Sequence, residues 1–146
     1  MLEIKFGILG QYFHCPQKGD FEYAAQALVM VDQQGVIAAV LHPQDEQYAY
    51  NIESLRASSK LVELTSAQYL MPGMVDLHVH APQFPQAGKG LDLPLYDWLQ
   101  DYTFPLEAKF ADLDFAKQVY PRLVNSLLAN GTTSAVYFAT IHAESS

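Results

Sequence analysis

The sequence predicts an α/β fold in which a small β-rich module precedes the start of a (β/α) barrel. In the first half, two β-rich runs, 27–31 and 36–40, flank a four-residue turn that ends in Gly35, which is the pattern of a hairpin. In the second half, a strand, a long crossover containing a helix and a second apolar strand follow one another. This order is typical of a βα unit that leads into a parallel strand.

Composition excludes several classes of protein. Half of the 146 residues are hydrophobic and 16% are charged, which is typical of a globular chain, and the net charge of -8 argues against binding to nucleic acid. The one cysteine, Cys15, excludes an internal disulfide and a zinc site built from several thiolates. Because we find neither a signal peptide nor roughly 20 consecutive apolar residues, we expect a cytoplasmic protein without a membrane partner.

The β-rich module contains further short elements around the hairpin. Residues 4–9 and 61–64 have the composition of strands, and residues 48–59 suit a short helix. His14 and His42 fall in this module, where we interpret both as ordinary surface or turn residues. The composition changes near Tyr69, and the module therefore ends there in our prediction.

The second half begins with a turn at 71–73 and an apolar strand at 74–80. Large apolar residues at helical spacing predict helical segments between 91 and 110. Among them, Trp98, Tyr102 and Phe104 could form the wall of a pocket, although at this spacing such residues more often belong to a core.

A longer helix follows, with apolar residues recurring every four positions from Phe115 to Leu127. Asp112 or Asp114 can cap its start, Pro121 should kink it, and Asn130-Gly131 should end it in a left-handed conformation. The next strand, 132–140, contains a continuous apolar run that predicts burial on both faces.

The pair His78 and His80 is the most informative feature of the sequence. Residues i and i+2 of a strand project from the same face, so both imidazoles can converge on one zinc or iron ion. They lie at the C-terminal end of the strand, where barrel enzymes place their active sites. An isolated H-x-H triplet is more often structural. Asp76, on the same face, either orients an imidazole or bonds to backbone at the strand entry.

The sequence of residues 71–80, MPGMVDLHVH, resembles the Pro-Gly…Asp-x-His-x-His signature of the amidohydrolase superfamily. Five later blocks resemble, in order, the HASQY, DLPLLEWL, YTFPAE, NGTTT and YFATIH blocks of the guanine deaminase family within it. These blocks are residues 80–84, 92–99, 102–107, 130–133 and 137–142. The resemblance covers residues 70–146, whereas residues 1–69 add only general amidohydrolase character.

The resemblance implies an amidohydrolase (β/α)8 barrel, incomplete in this chain, preceded by part of a small β-sandwich domain. Residues 1–69 would then be the N-terminal part of the sandwich, and residues 70–146 the first βα units of the barrel. The implied activity is the hydrolytic deamination of guanine, a small purine, to xanthine and ammonia by a metal-bound hydroxide. A homo-oligomer, specifically a dimer, is also expected.

For individual residues, the resemblance implies that His78 and His80 are metal ligands, with zinc expected and iron possible. The stretch His80, Ala81, Pro82 and Gln83 would line the substrate pocket, with Gln83 hydrogen-bonding the purine edge. The family's other metal ligands, its glutamate proton shuttle and its Arg-Phe clamp would lie beyond residue 146. We therefore expect no catalytic residue within this chain, and no activity from the chain alone.

Two departures from the family pattern bear on the pocket: Pro82 replaces a small polar residue, and Phe84 replaces a tyrosine. Two alternatives remain open at this point. One is another amidohydrolase that acts on a cyclic amide or amidine. The other is a non-catalytic piece that serves in assembly or interaction. His142, after the second strand, could touch a substrate, although a loop histidine is more often structural.

Overall fold

The chain divides after Pro72 into two units, Met1–Pro72 and Gly73–Ser146, in a computed structural model that describes residues 3–146. The first two residues, part of the segment considered above for a signal peptide, lie outside the described range. Within residues 3–146, no helix has the length and apolar character needed to cross a membrane.

The first unit is built on one five-stranded sheet with the order β3-β2-β1-β4, in which β5 also pairs with β1. Strands β1, β2 and β3 are antiparallel neighbours, while β4 and β5 run parallel to β1. The strands are β1 (Ile4–His14), β2 (Glu22–Asp32), β3 (Ile37–Leu41), β4 (Leu61–Glu63) and β5 (Tyr69–Leu70). The predicted hairpin is confirmed as β2 and β3, whereas β1 runs five residues beyond the predicted strand.

The hairpin turn is held by the side chain of Asp32, whose Oδ1 accepts hydrogen bonds from the backbone N–H groups of Gln34 and Val36, both at 2.9 Å. Gly35 has φ of +82°, a conformation that favours glycine. Helix α1 (Tyr48–Ala57) buries Leu55 against Leu28 and Met30, and these side chains form the core of the unit.

The second unit contains the predicted strand–crossover–strand. Strands β6 (Met74–His80) and β7 (Thr132–Phe138) pair in parallel, which confirms the βα unit and its parallel partner. The crossover is mostly helical, apart from residues 87–94. Its elements are the 3-10 helix Ala81–Gln86, α2 (Leu95–Trp98), the π-helical turn Leu99–Thr103, α3 (Phe104–Ala108), the 3-10 turn Lys109–Ala111 and α4 (Leu113–Ala129). A final 3-10 turn, Ala143–Ser145, follows β7.

Helix α4 begins and ends as its sequence predicts. Asp112 is the N-cap, and its Oδ1 accepts the backbone N–H of Asp114 at 2.9 Å. Gly131, just past the C-cap, has φ of +88°. The helix continues through Pro121, and the kink expected there stays a prediction. Its apolar stripe packs Ala116 and Val119 against the fully buried Phe110.

The burial predicted for the second apolar strand is wrong in this chain, and the first strand is exposed as well. Leu77 of β6 is 70% exposed and Val136 of β7 is 51% exposed. The second strand also ends at Phe138, two residues before the predicted end. Two strands and one crossover cannot cover both faces of a parallel sheet, so side chains suited to a buried strand remain open to solvent.

Candidate metal and substrate site

The two histidines at the end of β6 converge. The Nε2 atoms of His78 and His80 lie 2.9 Å apart, and the ring centroids are 4.9 Å apart. Both residues are exposed. Two neutral imidazoles at this distance can share one proton, with the donor set by the tautomer, or they can both direct a lone pair at one cation.

A β-bulge places His78. The ladder pairs Asp76 with Ala135 but Val79 with Tyr137, so β6 advances three residues where β7 advances two. Inside the bulge, Asp76 Oδ1 accepts the backbone N–H of His78 at 3.0 Å. Of the two roles considered for Asp76, the structure shows the backbone role. Bulges of this kind re-aim side chains beside active sites.

Phe138, the last residue of β7, supports both imidazoles, and the sequence reasoning assigned it no role. It pairs with His80 across the ladder. Its ring lies 4.9 Å from that of His80 at an interplanar angle of 14°, and 4.8 Å from that of His78 at 40°. The feature of the sequence that could have identified Phe138 is its position, since it ends the strand next to the one that carries the histidines.

The histidine pair fits a metal ion as part of a ligand set. Zinc binds imidazole nitrogens at about 2.0–2.1 Å, and two such nitrogens about 3 Å apart can belong to one ion. Within residues 3–146, no group of three or more His, Cys, Asp and Glu side chains is arranged to hold a metal. The described residues could therefore supply two ligands, whereas a zinc centre usually has at least three from the protein.

The 3-10 helix Ala81–Gln86 turns the chain away from the histidines. Ala81 and Pro82 are buried, and neither lines the neighbouring cavity. Pro82 stands in the first turn of this helix, where backbone N–H groups have no partner within the helix, so the missing donor costs little. Of the four residues expected to line the pocket, the structure brings His80 and Gln83 to the cavity.

Gln83 is held by a carboxylate that the sequence reasoning also missed. Its Nε2 donates to Glu107 Oε1 at 2.9 Å and lies 3.5 Å from His80 Nδ1. Glu107 belongs to α3, 24 positions along the chain, and both side chains are partly buried. The block 102–107 resembles a block of the family, but nothing in its residues indicates that its glutamate faces Gln83.

The cavity beside Gln83 has a volume of about 270 Å³. Its wall includes His80, Gln83, Phe84, Gln86, Trp98 and Leu123. Trp98 is partly buried there, with its Nε1 donating to the Lys89 carbonyl at 3.0 Å. Trp98 thus lines a cavity wall, while Tyr102 and Phe104 are exposed, against the expectation that these aromatics belong to a core. An indole and an amide on one wall suit a flat polar ring.

Glu107 also influences Tyr120 of α4. Burial raises the pKa of the Tyr120 phenol, and the negative charge of Glu107 raises it further. Within the described residues, the Tyr120 hydroxyl and His142 Nε2 are buried without a hydrogen-bond partner. His142 is absent from the wall of the cavity that contains Gln83.

Comparison with known proteins identifies the family of this chain. The profile of the Amidohydrolase family matches residues 69–145. The chain is 38% identical over 139 residues to a probable guanine deaminase of Schizosaccharomyces pombe, and 41% identical over 137 residues to the guanine deaminase of Homo sapiens. Both alignments cover 94% of the chain.

Among solved structures, a guanine deaminase from C. acetobutylicum with guanine bound in its active site superposes with a TM-score of 0.78 at 34% identity, over 96% of this chain. The chain spans 26% of the Schizosaccharomyces pombe protein, 30% of the human one and 31% of the C. acetobutylicum chain. The family match covers more than half of the chain and includes both histidines, Gln83 and Glu107. This chain belongs to the amidohydrolase family.

Proposed function

We propose that this chain carries the first metal ligands and part of the purine site of a guanine deaminase, which hydrolyses guanine to xanthine and ammonia. The observation that carries the proposal is the convergence of His78 and His80 beside a cavity lined by Gln83. The guanine deaminases to which the chain is similar along 94% of its length support the same substrate.

His78 and His80 would hold the metal, zinc in the first instance and iron as the alternative, because neutral imidazole suits both ions. Phe138 packs against both rings and Asp76 bonds the backbone at the bulge, and these contacts would order the pair before any ion binds. A metal ion held there would lower the pKa of a water molecule toward neutrality and so make it a usable nucleophile. Further ligands would come from polypeptide outside residues 1–146.

Gln83 would orient the purine, since its side-chain amide can hydrogen-bond one edge of the ring. Trp98 and Phe84 would cover the ring and keep water off it. Ala81 and Pro82 would shape this wall from behind, because they are buried in the turn that carries Gln83. The metal ion and the reacting water would then lie at the histidine end of the cavity.

The architecture that goes with this function is also part of the proposal. The sheet of the first unit would be one part of a β-sandwich domain, and β6 and β7 would be the first two strands of a (β/α)8 barrel. The assembled enzyme would be a homodimer. Sedimentation of the purified protein tests the dimer, and a monomer at all concentrations would contradict it.

Purine binding can be followed on this chain directly, because Trp98 is its one tryptophan and lines the cavity. The zinc-supplemented chain is titrated with guanine and, separately, with hydantoin, a cyclic amide that other hydrolases of this kind would take. We expect saturable quenching by guanine that is weakened in Gln83→Leu, with little response to hydantoin. A response to hydantoin but not to guanine would overturn the purine assignment. Ammonia release from guanine, measured in parallel, is expected to be absent for the chain alone.

A second candidate function is non-catalytic assembly, favoured by the open apolar face of β6 and β7. Val75, Leu77 and Val136 are each more than half exposed, and parallel strand edges left open tend to pair with other chains. Gel filtration across a concentration series separates the two candidates. A chain that self-associates and binds no purine would favour assembly, whereas a purine-binding monomer would count against it.

A further inference from the structure

We infer that Glu107 is a positioning residue that fixes which end of the Gln83 amide faces the cavity, and thereby makes the site select a ring edge that presents an N–H donor. The inference rests on the proposed purine function. It deepens that function by naming the hydrogen-bonding character of the edge that Gln83 recognises. The carrying observation is the hydrogen bond of 2.9 Å between Gln83 Nε2 and Glu107 Oε1.

A side-chain amide is nearly symmetric in shape, so it discriminates between donors and acceptors only when something fixes its orientation. An ionised carboxylate accepts hydrogen bonds and donates none. The Glu107 carboxylate therefore requires an N–H of Gln83 on its side and would repel the amide oxygen. A bond to a charged group is also stronger than one between neutral groups, so the preference for this orientation is large.

The other contacts of the amide agree with this orientation. Within residues 3–146, no donor reaches Gln83 Oε1, and Gln83 lines the cavity. Gln83 Nε2 carries two hydrogens, so its contact of 3.5 Å with His80 Nδ1, at the outer limit of a hydrogen bond, leaves the bond to Glu107 in place. Gln83 consequently offers the cavity an acceptor oxygen, for which the complement is a ring N–H or an exocyclic amino group.

Glu107 itself is held firmly enough to act in this way. It lies in α3 between Leu106, which packs on the core of the unit, and the turn that contains the fully buried Phe110. Its position in an unbroken helical run from Leu95 to Ala111 fixes the backbone. The carboxylate is partly buried, which strengthens its interaction with the amide relative to a fully solvated pair.

The first arm of the test needs no purine. The side-chain amide resonances of Gln83, assigned by their loss in Gln83→Leu, are compared between the wild type and Glu107→Gln in a 1H–15N correlation spectrum. We expect one amide proton to be shifted downfield in the wild type and to return toward the ordinary amide position in Glu107→Gln. Glu144→Gln, the same change at an exposed glutamate of the same unit, should leave the shifted Gln83 amide proton at its wild-type position in the spectrum. Unchanged Gln83 resonances in Glu107→Gln would overturn the inference.

The second arm measures recognition by Trp98 fluorescence with guanine and with unsubstituted purine, which lacks the lactam N–H and the amino group. Glu107→Gln should weaken guanine binding roughly 10-fold, the effect of losing a bond held by a charged partner, and should reduce the preference for guanine over purine. Glu107→Asp should retain part of the preference, because the carboxylate remains. Tyr120→Phe should bind guanine normally, which separates the effect on Gln83 from the effect on Tyr120.

A double-mutant cycle tests whether Glu107 acts through Gln83. If Glu107 acts through Gln83, then Glu107→Gln/Gln83→Leu should bind guanine no more weakly than Gln83→Leu alone. If the losses of guanine affinity in the two single variants add in the double variant, Glu107 acts by another route and the inference is overturned. A wild type that shows the shifted Gln83 proton but binds no guanine would contradict the proposed function while leaving the positioning role intact, so the two failures are distinguishable.

Discussion

Asp76 Oδ1 accepts the backbone N–H of His78 at 3.0 Å, inside the bulge that interrupts the ladder between β6 and β7. The bond removes that N–H from the ladder and holds the strand in the irregular path that brings His78 Nε2 to 2.9 Å from His80 Nε2. The convergence of the two imidazoles therefore depends on a carboxylate that touches neither ring.

Replacing Asp76 should weaken metal binding through the backbone. Asp76→Ala removes the acceptor, and we expect zinc affinity to fall about 10-fold, a typical effect of losing a group that orients a ligand. Asp76→Asn keeps an oxygen that can accept the same bond and should bind zinc nearly as well as the wild type. Competition with a chromophoric chelator measures the zinc affinity of both variants. Equal losses in the two variants would show that the charge of Asp76, rather than its hydrogen bond, is what matters.

Phe138 should order the histidine rings before metal binds. Its ring current shifts the carbon-bound imidazole protons of His78 and His80, since both centroids lie within 5 Å of it. In Phe138→Ala, we expect these proton resonances to move downfield and to broaden, and zinc affinity to drop. Phe138→Tyr, which keeps the ring, serves as the matched control. Histidine resonances that are unchanged in Phe138→Ala would show that the rings are ordered by other contacts.

Gly73 should tolerate no side chain. A Cβ at this position would lie 2.6 Å from the Cβ of Thr133, the second residue of β7. Overpacking of this kind typically costs about 1–3 kcal/mol of unfolding free energy, so Gly73→Ala should lower the thermal midpoint. Thr133→Gly removes the obstructing atoms, and Gly73→Ala should cost much less in that background. A loss of the same size in both backgrounds would contradict the steric explanation.

The raised pKa of Tyr120 predicts how the free energy of unfolding changes at alkaline pH. Its folded-state pKa lies above the ordinary value of 10.0, so the folded protein holds the phenolic proton more tightly than the unfolded chain does. The corresponding stabilisation is present below pH 10 and is lost as the pH rises through the folded pKa. The urea midpoint of the wild type should therefore fall more than that of Tyr120→Phe as the pH is raised above 10.0.

The same phenol also reports on Glu107, because removing the carboxylate charge removes one of the two causes of the shift. In Glu107→Gln, the Tyr120 pKa should move toward 10, as measured by the difference in ultraviolet titration between variants with and without Tyr120. A pKa that rises or stays unchanged in Glu107→Gln would show that the carboxylate does not face this hydroxyl.

Sequence predicted those features that depend on local pattern. The hairpin around Gly35, the cap at Asp112, the stop at Gly131 and the parallel pair of strands all follow from residue type and spacing, and the structure confirms them. The continuous apolar run of β7 also predicted burial on both faces, which is wrong here, because burial depends on what covers a strand and not on the strand's own composition.

Contacts between distant segments lay outside what the sequence could predict. Phe138 lies 60 positions from His78 and 58 from His80 along the chain, and Glu107 lies 24 from Gln83. Only the folded backbone brings these partners together. The bulge at His78 was equally hidden, because a regular strand and a bulged one can share the same apolar pattern.

Calorimetric titration of the purified chain with zinc, with each histidine of the pair replaced in turn, tests whether His78 and His80 share one metal ion. We predict one equivalent of zinc for the wild type and loss of that binding in both His78→Ala and His80→Ala. His42→Ala, a change in the first unit, should bind as the wild type does. Zinc binding that survives either substitution at the pair would contradict the claim that His78 and His80 act together on one metal ion.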